Sequence, residues 1–392
     1  MYLVTNGQVV LEQGIVPDYE VLIERERIKG VYPAGTVDHR EVDAVIDANG
    51  GYISPGFIDI HADYIETMAC PRPTSIMDFG LSLRETERVL LCNGITTMFH
   101  SLSLYKRDEF TYKAIRNPDN VKKFVELIHA THTEQHLIRH RFHARFEIDN
   151  MEEVENLKTY IKEGKVHLVS FMDHTPGQGQ YRDLEMYRHT MKGYKDLTDA
   201  EIDNIIAENQ SKEIMTLDMI KEIADLALRH NIAVASHDDD SLEKIDLVQN
   251  FGATISEFPI TLVVAQEARQ RGMYTIAGAP NILLGGSHSG NLSAATAIEA
   301  GAIDILCSDY YPAAMLHSIF IMHEQYNQDL GDMFNLVTLN AAKAVRMDGE
   351  IGSIKPGKRA DLLVIEKVSG SFPAITAAIV DGKLSSRIHY RV

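Results

Sequence analysis

A histidine and an aspartate two residues apart close a short apolar run near residue 60. His61 and Asp63 follow Gly56–Ile60 in the sequence. Residues i and i+2 of a strand point to the same side, so the imidazole and the carboxylate could face one metal ion. Such a pair often arises by chance, and its weight therefore depends on partners elsewhere in the chain.

Matching residue types stand at or near the ends of other apolar segments. Imidazole nitrogen and carboxylate oxygen are suitable ligands for zinc, manganese or iron. Independent structural roles would rarely place so many of these types at strand ends. The sequence predicts one or two divalent ions, with zinc expected and manganese or iron as alternatives. The predicted ligands are His61, Asp63, Glu147, His174, His237 and Asp309.

Individual roles follow from this set, with alternatives left open. Glu147 could bridge two metals, and Asp309 could bind a metal and take a proton from an attacking water. Glu257 could be a ligand or a carboxylate that orients one. The run Asp238–Asp240 is predicted to include the N-cap of the next helix.

The elements that position these residues alternate between strand and helix from Ile53 onward. Alternating βα units imply a parallel sheet, and eight repeats predict a closed (β/α)8 barrel of the TIM type, an α/β fold. An open doubly wound sheet is the alternative, but no Gly-x-Gly-x-x-Gly follows the first strand. The eight predicted strands are Phe57–Ile60, Ile95–Phe99, Phe142–Ile148, Leu168–Met172, Ala233–Ser236, Ala253–Glu257, Tyr274–Ala277 and Ile303–Cys307.

The predicted helices lie between these strands. They are Ser82–Cys92, Val121–Arg139, Met151–Glu163, Leu217–His230, Ser241–Asn250, Thr261–Arg271 and Ser293–Ala300. The polar segment Thr175–Thr216 is too long for a plain loop and includes a predicted helix, Ala200–Gln210. We interpret it as a lid or active-site insertion.

Both ends of the chain show short strand patterns instead. Residues 1–54 contain short β-like runs broken by turns, and Ile351–Ile354, Asp361–Ile365 and Ala377–Val380 are β-like near the other end. The prediction is a small β domain, resembling a sandwich, from residues 1–54 and 345–392, beside a barrel of residues 55–344.

A glycine-rich loop follows the seventh predicted strand. Residues 285–291 read Gly-Gly-Ser-His-Ser-Gly-Asn and precede a predicted helix, an arrangement typical of anion sites. In barrels, phosphate is often held by the loops after strands seven and eight. The alternative is a flexible turn with a helix cap. The predicted substrate contacts are Gly285, Gly286, Ser287, Ser289 and Asn291, with His288 as a catalytic contact to substrate or leaving group.

Arg72, between Pro71 and Pro73, is a further predicted substrate contact, because guanidinium groups match phosphate oxygens. The alternative is a surface arginine.

Composition limits the possible partners. The net charge of −18 over 392 residues argues against nonspecific binding to nucleic acid or to an anionic membrane. Three cysteines without a Cys-x-x-Cys motif fit a reducing cytoplasm, and no apolar run is long enough to span a membrane. The expected partner is a small phosphorylated substrate, with a homo-oligomer as an open possibility.

Two motifs that frame the chain resemble the amidohydrolase superfamily. They are Ser54–His61 and the segment Gly352–Val364. Within that superfamily, several segments resemble the diphosphatases of phosphonate metabolism. These are His61–Asp63, Leu168–Gln178, Ala235–Asp239, Gly285–Asn291 and Ser308–Pro312.

This resemblance implies a metal-dependent hydrolase of the carbon–phosphorus lyase pathway. Its reaction would convert α-D-ribose 1-methylphosphonate 5-triphosphate to the 5-phosphate and pyrophosphate. Water would attack the α-phosphorus, with Asp309 as base. Two positions depart from the pattern, since Leu284 stands in place of an arginine and His100 in place of an aspartate. A C–N bond amidohydrolase or deaminase is the alternative activity, and a non-catalytic barrel is a third hypothesis.

Overall fold

The computed structural model describes residues 1–72, 75–104, 114–177, 179, 184–194, 198–287 and 291–391. The chain forms two compact units. The first comprises residues 1–100, 127–141 and 304–392, and the second comprises residues 101–126 and 142–303.

The strands fall into two sheets. In chain order they are β1 Tyr2–Leu11, β2 Gly14–Glu24, β3 Arg27–Pro33, β4 Ala44–Asp47, β5 Tyr52–Pro55, β6 Phe57–Ala62, β7 Ile95–Leu104, β8 Arg139–Glu147, β9 Leu168–Met172, β10 Ala233–His237, β11 Ile255–Glu257, β12 Tyr274–Gly278, β13 Ile305–Cys307, β14 Leu362–Val368, β15 Phe372–Val380 and β16 Lys383–Arg387.

Helices connect most of the strands of the second sheet. They are α1 Tyr64–Ala69, α2 Phe79–Cys92, α3 Pro118–Ala130, α4 Val154–Lys162, α5 Leu184–Tyr194, α6 Asp199–Gln210, α7 Leu217–Arg229, α8 Leu242–Asn250, α9 Leu262–Gln270, α10 Ala279–Leu283, α11 Ala294–Glu299, α12 Ala314–Tyr326, α13 Leu330–Val337 and α14 Leu339–Ala344.

The second sheet is a TIM-like barrel. Its eight strands follow the sequence order from β6 to β13, and pairs such as β8–β9, β9–β10 and β10–β11 are parallel. A parallel bridge between Ala62 and Asp309 joins the two ends of the strand order. The strand interiors are buried apolar runs, as expected for strands covered on both faces. The predicted barrel is therefore confirmed.

The first sheet is drawn from both ends of the chain. Its strand order is β16-β15-β14-β5-β1-β2-β3, with β4 paired to β1. Val4, Val21, Ile53, Leu362 and Ile379 are among the buried residues of its core. The prediction that these strands form a separate domain, with boundaries near residues 54 and 345, stays a prediction.

Two predicted elements are wrong in the structure. The helix predicted to reach Arg139 ends at Ala130. The hydroxyls of Thr131 and Thr133 donate to the carbonyls of Ile128 and Ala130 at 2.7 and 3.0 Å, and such local side-chain bonds compete with helix continuation. Arg139 instead begins β8.

The predicted strand Ile351–Ile354 is irregular. The ammonium of Lys358 donates to the Ser353 hydroxyl at 2.6 Å and to the Ile351 carbonyl at 3.3 Å. These contacts give the segment polar partners that a neighbouring strand would otherwise supply.

In its described residues, the insertion after β9 forms the two helices α5 and α6. α5 and α6 share a small core in which Tyr187, Ile202 and Ile206 are buried, and Thr198 caps α6 in a capping box with Glu201. The predicted helix Ala200–Gln210 corresponds to α6. Within the described part of the chain, no helix has the length and apolar character needed to cross a membrane.

Candidate active site

Three of the predicted ligands lie together in the first unit. His61 is near the end of β6, and Asp309 follows β13 by two residues. The Asp309 amide donates to the His61 carbonyl at 3.1 Å, and the Asp63 amide donates to the Asp309 carbonyl at 3.0 Å. Asp309 has a left-handed backbone conformation with φ of 58°. These contacts hold His61, Asp63 and Asp309 at one point of the barrel rim.

Asp59 hydrogen-bonds to the backbone of this rim. It was not among the predicted site residues. It is fully buried, and its Oδ1 accepts from the amides of Ser308 at 3.2 Å and His61 at 3.3 Å. Burial raises the pKa of Asp59 to about 6, against the opposing effect of these hydrogen bonds. An aspartate inside the apolar run Phe57–Ile60 was the signal that sequence reasoning could have used.

The second unit brings Glu147 and His174 together. Glu147 ends β8, and His174 lies two residues past β9. The Glu147 Oε1 is 2.5 Å from Nδ1 of His174. Burial alone would lower the pKa of the His174 imidazole, but Glu147 and then Asp238 raise it above its usual value.

His237 joins the same group at the end of β10. Its Nε2 lies 3.5 Å from Oδ2 of Asp238, and that oxygen lies 3.8 Å from Nε2 of His174. The ligand atoms of His174, His237 and Asp238 all lie within 4.8 Å of one another. The arrangement has the composition of a metal site with nitrogen and oxygen ligands.

Asp238 provides a test of whether a cation fits here. Its Oδ2 is buried and makes no hydrogen bond among the described residues. Burial raises the pKa of Asp238 to about 6, while His174 and Lys244 oppose that effect. A buried carboxylate oxygen that faces two imidazole nitrogens is satisfied by a shared cation, so the residues fit a divalent metal.

The prediction that the run Asp238–Asp240 includes the N-cap of the next helix is wrong. The N-cap of α8 is Ser241, whose side chain accepts from the Lys244 amide. Asp238 instead lies beside His237 and His174, at the distances given above.

Glu257 and His143 lie behind His237. Oε2 of Glu257 is 3.1 Å from Nδ1 of His237, and its Oε1 is 3.5 Å from Nε2 of His143. Burial raises the pKa of Glu257, whereas His143 and Arg145 oppose the change. A carboxylate at Nδ1 orients an imidazole and leaves Nε2 available for a metal. This contact supports the orienting role among the two alternatives for Glu257.

Arg145 adds a positive charge that sequence reasoning did not single out. One of its terminal nitrogens is 3.4 Å from Nε2 of His237, and its Nε is 3.2 Å from Sδ of Met172. Arg145 lies two residues before Glu147 on β8, so both side chains leave the same side of the strand.

The predicted phosphate loop is only partly described. His288 and Ser289 lie outside the described residues. The amides of Gly285 and Gly286 donate to the carbonyls of Ile282 and Asn281 at 3.2 and 2.9 Å, so in this conformation they already have partners. Ser287 and Asn291 are partly exposed, and the role of the loop stays a prediction.

Arg72 is exposed and is held through its backbone. Its carbonyl accepts from the Ser75 amide at 2.9 Å and from the Cys70 thiol at 3.1 Å. The structure does not bring its guanidinium to any predicted ligand among the described residues of the first unit. Its substrate role stays a prediction.

The two departures from the family pattern differ in their surroundings. Leu284 is 65% exposed just after α10. His100 is completely buried, and its Nε2 lies 2.8 Å from Nδ1 of His140, which in turn contacts Glu87 at 3.2 Å. His100 therefore forms part of a buried hydrogen-bonded group.

Comparisons with known proteins identify the family of this chain. The sequence model of the amidohydrolase family matches residues 52–385 of this chain. The alpha-D-ribose 1-methylphosphonate 5-triphosphate diphosphatase of Escherichia coli (strain K12) is 31% identical over 369 residues, which are 93% of this chain and 95% of that protein. An adenine deaminase of Listeria innocua is 35% identical over 96 residues, 24% of this chain and 14% of that protein.

A solved structure shows the same fold. The crystal structure of N-acetylglucosamine-6-phosphate deacetylase from Pasteurella multocida has a TM-score of 0.64 and 13% identity, over 98% of this chain and 99% of that chain. The chain belongs to the amidohydrolase family, and it is a hydrolase of that superfamily.

Proposed function

We propose that this hydrolase cleaves the 5-triphosphate of α-D-ribose 1-methylphosphonate 5-triphosphate, yielding the 5-phosphate and pyrophosphate in phosphonate catabolism. The observation that carries the proposal is the 31% identity to the E. coli diphosphatase over 93% of this chain. A reducing cytoplasmic setting is part of the same proposal.

The proposal assigns one or two divalent ions, with zinc first, to the predicted ligands. These are His61, Asp63, Glu147, His174, His237 and Asp309, with Asp238 added on the geometry above. A bound ion would lower the pKa of a coordinated water and offset the charge of the phosphates.

Other groups of the protein would supply the catalytic base, the phosphate contacts and the lid. Asp309 would accept the proton of the attacking water. His288, Arg72 and the loop Gly285–Asn291 would hold phosphate oxygens. The helices α5 and α6 would act as a lid over the bound substrate.

The decisive experiment is metal analysis of the purified protein followed by a product assay. A ribose 5-triphosphate substrate is incubated with the metal-loaded protein, and pyrophosphate, orthophosphate and ammonia are scored separately. Pyrophosphate as the first product supports the proposal, whereas orthophosphate alone contradicts cleavage at the α-phosphorus.

Asp309→Asn tests the proposed base. It should abolish turnover while leaving the fold and much of the bound metal, because asparagine keeps the shape but cannot accept the proton. Asp18→Asn is a matched control, since Asp18 is exposed and also has φ of 58°. Near-normal turnover by Asp309→Asn would remove Asp309 from this role.

A C–N bond hydrolase is the second candidate. The local match to an adenine deaminase favours it, although that match covers 24% of this chain. Release of ammonia from adenine or a related base, without pyrophosphate release from the triphosphate, would establish this candidate and contradict the first.

A further inference from the structure

A lysine lies directly behind the turn that carries His237 and Asp238. Lys244 is the third residue of α8. Its ammonium donates to the carbonyl of His237 at 2.8 Å and to the carbonyl of Asp238 at 3.2 Å. It also lies 3.7 Å from Oδ1 of Asp239. One side chain thus binds two consecutive backbone carbonyls of the ligand group.

The geometry of the turn explains why such a contact is needed. Consecutive residues of an extended chain point to opposite sides. His237 and Asp238 are consecutive, yet Nε2 of His237 and Oδ2 of Asp238 are only 3.5 Å apart. The chain achieves this through a left-handed conformation at Asp238, with φ of 52°. A residue other than glycine adopts that conformation at a cost, and surrounding contacts must stabilise it.

Asp239 fixes the other side of the turn. It is fully buried, and its Oδ2 accepts from the hydroxyls of Ser236 at 2.6 Å and Ser256 at 2.5 Å. Its carboxylate is therefore attached to β10 and to β11, while Oδ1 faces the ammonium of Lys244. The strand ends and the first turn of α8 are joined through this pair.

We propose that Lys244 is a positioning residue of the metal site, which holds the His237–Asp238 turn in the conformation that directs both side chains to one ion. This inference rests on the proposed metal site. Lys244 acts through the backbone carbonyls, so its contribution should appear in metal affinity and not as a contact with substrate.

The test uses the full chain with metal removed. Zinc affinity is measured by competition with a chromophoric chelator, and the melting temperature of the metal-free protein is recorded alongside. Lys244→Met keeps the length of the side chain but removes the donor, and Lys244→Arg restores a donor to the carbonyls. Lys221→Met is the control, because Lys221 is half exposed on α7 and pairs only with Asp225 at 3.4 Å among the described residues.

Lys244→Met should lower zinc affinity by about 10-fold to 100-fold, the range typical of residues that support metal ligands. Lys244→Arg should recover most of this loss, and Lys221→Met should bind zinc as the unaltered protein does. The melting temperatures of metal-free Lys244→Arg and Lys221→Met should stay close to that of the unaltered protein, whereas that of Lys244→Met should fall, because the buried Asp239 carboxylate loses the ammonium that faces it.

The outcomes separate this inference from the proposed function. Failure of the unaltered protein to bind zinc would contradict the metal site itself. Normal zinc binding by a folded Lys244→Met variant would contradict the role of Lys244 alone. If Lys244→Met does not fold, Asp239→Asn provides the test, because it keeps an oxygen for the serine hydroxyls but removes the charge that faces Lys244. Unchanged zinc affinity in that variant would overturn the inference.

Discussion

Buried carboxylates give the candidate site its chemical character. Asp59 and Asp238 are each buried, and burial raises the pKa of each to about 6. Removing an anion from water is unfavourable unless a cation or hydrogen bonds compensate it. Oδ2 of each carboxylate has no hydrogen bond among the described residues, while Oδ1 of Asp59 accepts from two backbone amides. Oδ2 of Asp238 differs because it lies 3.5 Å and 3.8 Å from imidazole nitrogens of His237 and His174. Asp238 is therefore the carboxylate for which a bound cation would matter most.

Asp238→Asn should weaken metal binding by at least about tenfold, a change of about 1.4 kcal/mol. Asparagine is similar in size, but its neutral amide attracts a cation far less than a carboxylate does. Zinc affinity measured by chelator competition gives the answer, with Asp225→Asn on the exposed face of α7 as control. Equal zinc affinity in the two variants would exclude Asp238 from the ligand group.

At the level of elements, the insertion after β9 carries its own core. Tyr187, Ile202 and Ile206 are buried between α5 and α6. The Gln210 side chain donates to the Pro176 carbonyl at 2.9 Å, and the Gly179 amide donates to Asp240 at 2.9 Å. Asp240 lies beside the His237–Asp239 turn, so the base of the insertion is attached next to the ligand group. A small core of this kind can open without unfolding the barrel.

Ile202→Ala should loosen this helical pair selectively. Truncation of a fully buried isoleucine lowers stability by about 2 kcal/mol or more. Here the loss should appear as easier local opening of α5 and α6. Hydrogen exchange should speed up for the amides of α5 and α6, while those of β9 and β10 stay protected. Ile214→Ala, at a position that is 46% exposed, should leave exchange unchanged. Equal acceleration in the barrel strands would contradict an independent core.

The sequence located the barrel strands because apolar residues dominate them, and several of these runs end at a histidine or a carboxylate. β9 matches its predicted range, and β10 differs from its prediction by one residue. The end of α3 was missed, because the hydroxyl bonds of Thr131 and Thr133 are local features that hydrophobic periodicity does not report. Asp238 was missed as a ligand for a related reason. Its side chain reaches His237 only through a left-handed backbone, which the pattern of a strand end does not predict.

For the chain as a whole, one buried ion network in the first unit connects distant parts of the sequence. Arg139, at the start of β8, donates to Asp361 and to Asp381, each at 2.8 Å. Arg359 also contacts Asp381 at 2.8 Å. Arg139 and Asp361 are nearly inaccessible, with side chains 9% and 5% exposed. Loss of one partner from such a network leaves an uncompensated charge, which is strongly destabilising.

This network predicts how stability depends on pH. Burial alone would raise the pKa of Asp381, but the charges and hydrogen bonds of Arg139 and Arg359 outweigh it and hold the pKa below its usual value. The pKa of Asp381 is therefore lower in the folded chain than in the unfolded chain, where it is about 3.9. Its contribution to stability is present above about pH 4 and is lost as the pH falls below that value.

Asp381→Asn should lower the free energy of unfolding by about 2 kcal/mol at neutral pH, since charged hydrogen bonds are lost. The difference from the unaltered protein should shrink as the pH falls below about 4, where the unaltered carboxyl also becomes protonated. Urea unfolding at pH 7, 5, 4 and 3 measures this difference, with Asp18→Asn as control because Asp18 is exposed. A difference that stays constant down to pH 3 would show that the charge of Asp381 does not stabilise the fold.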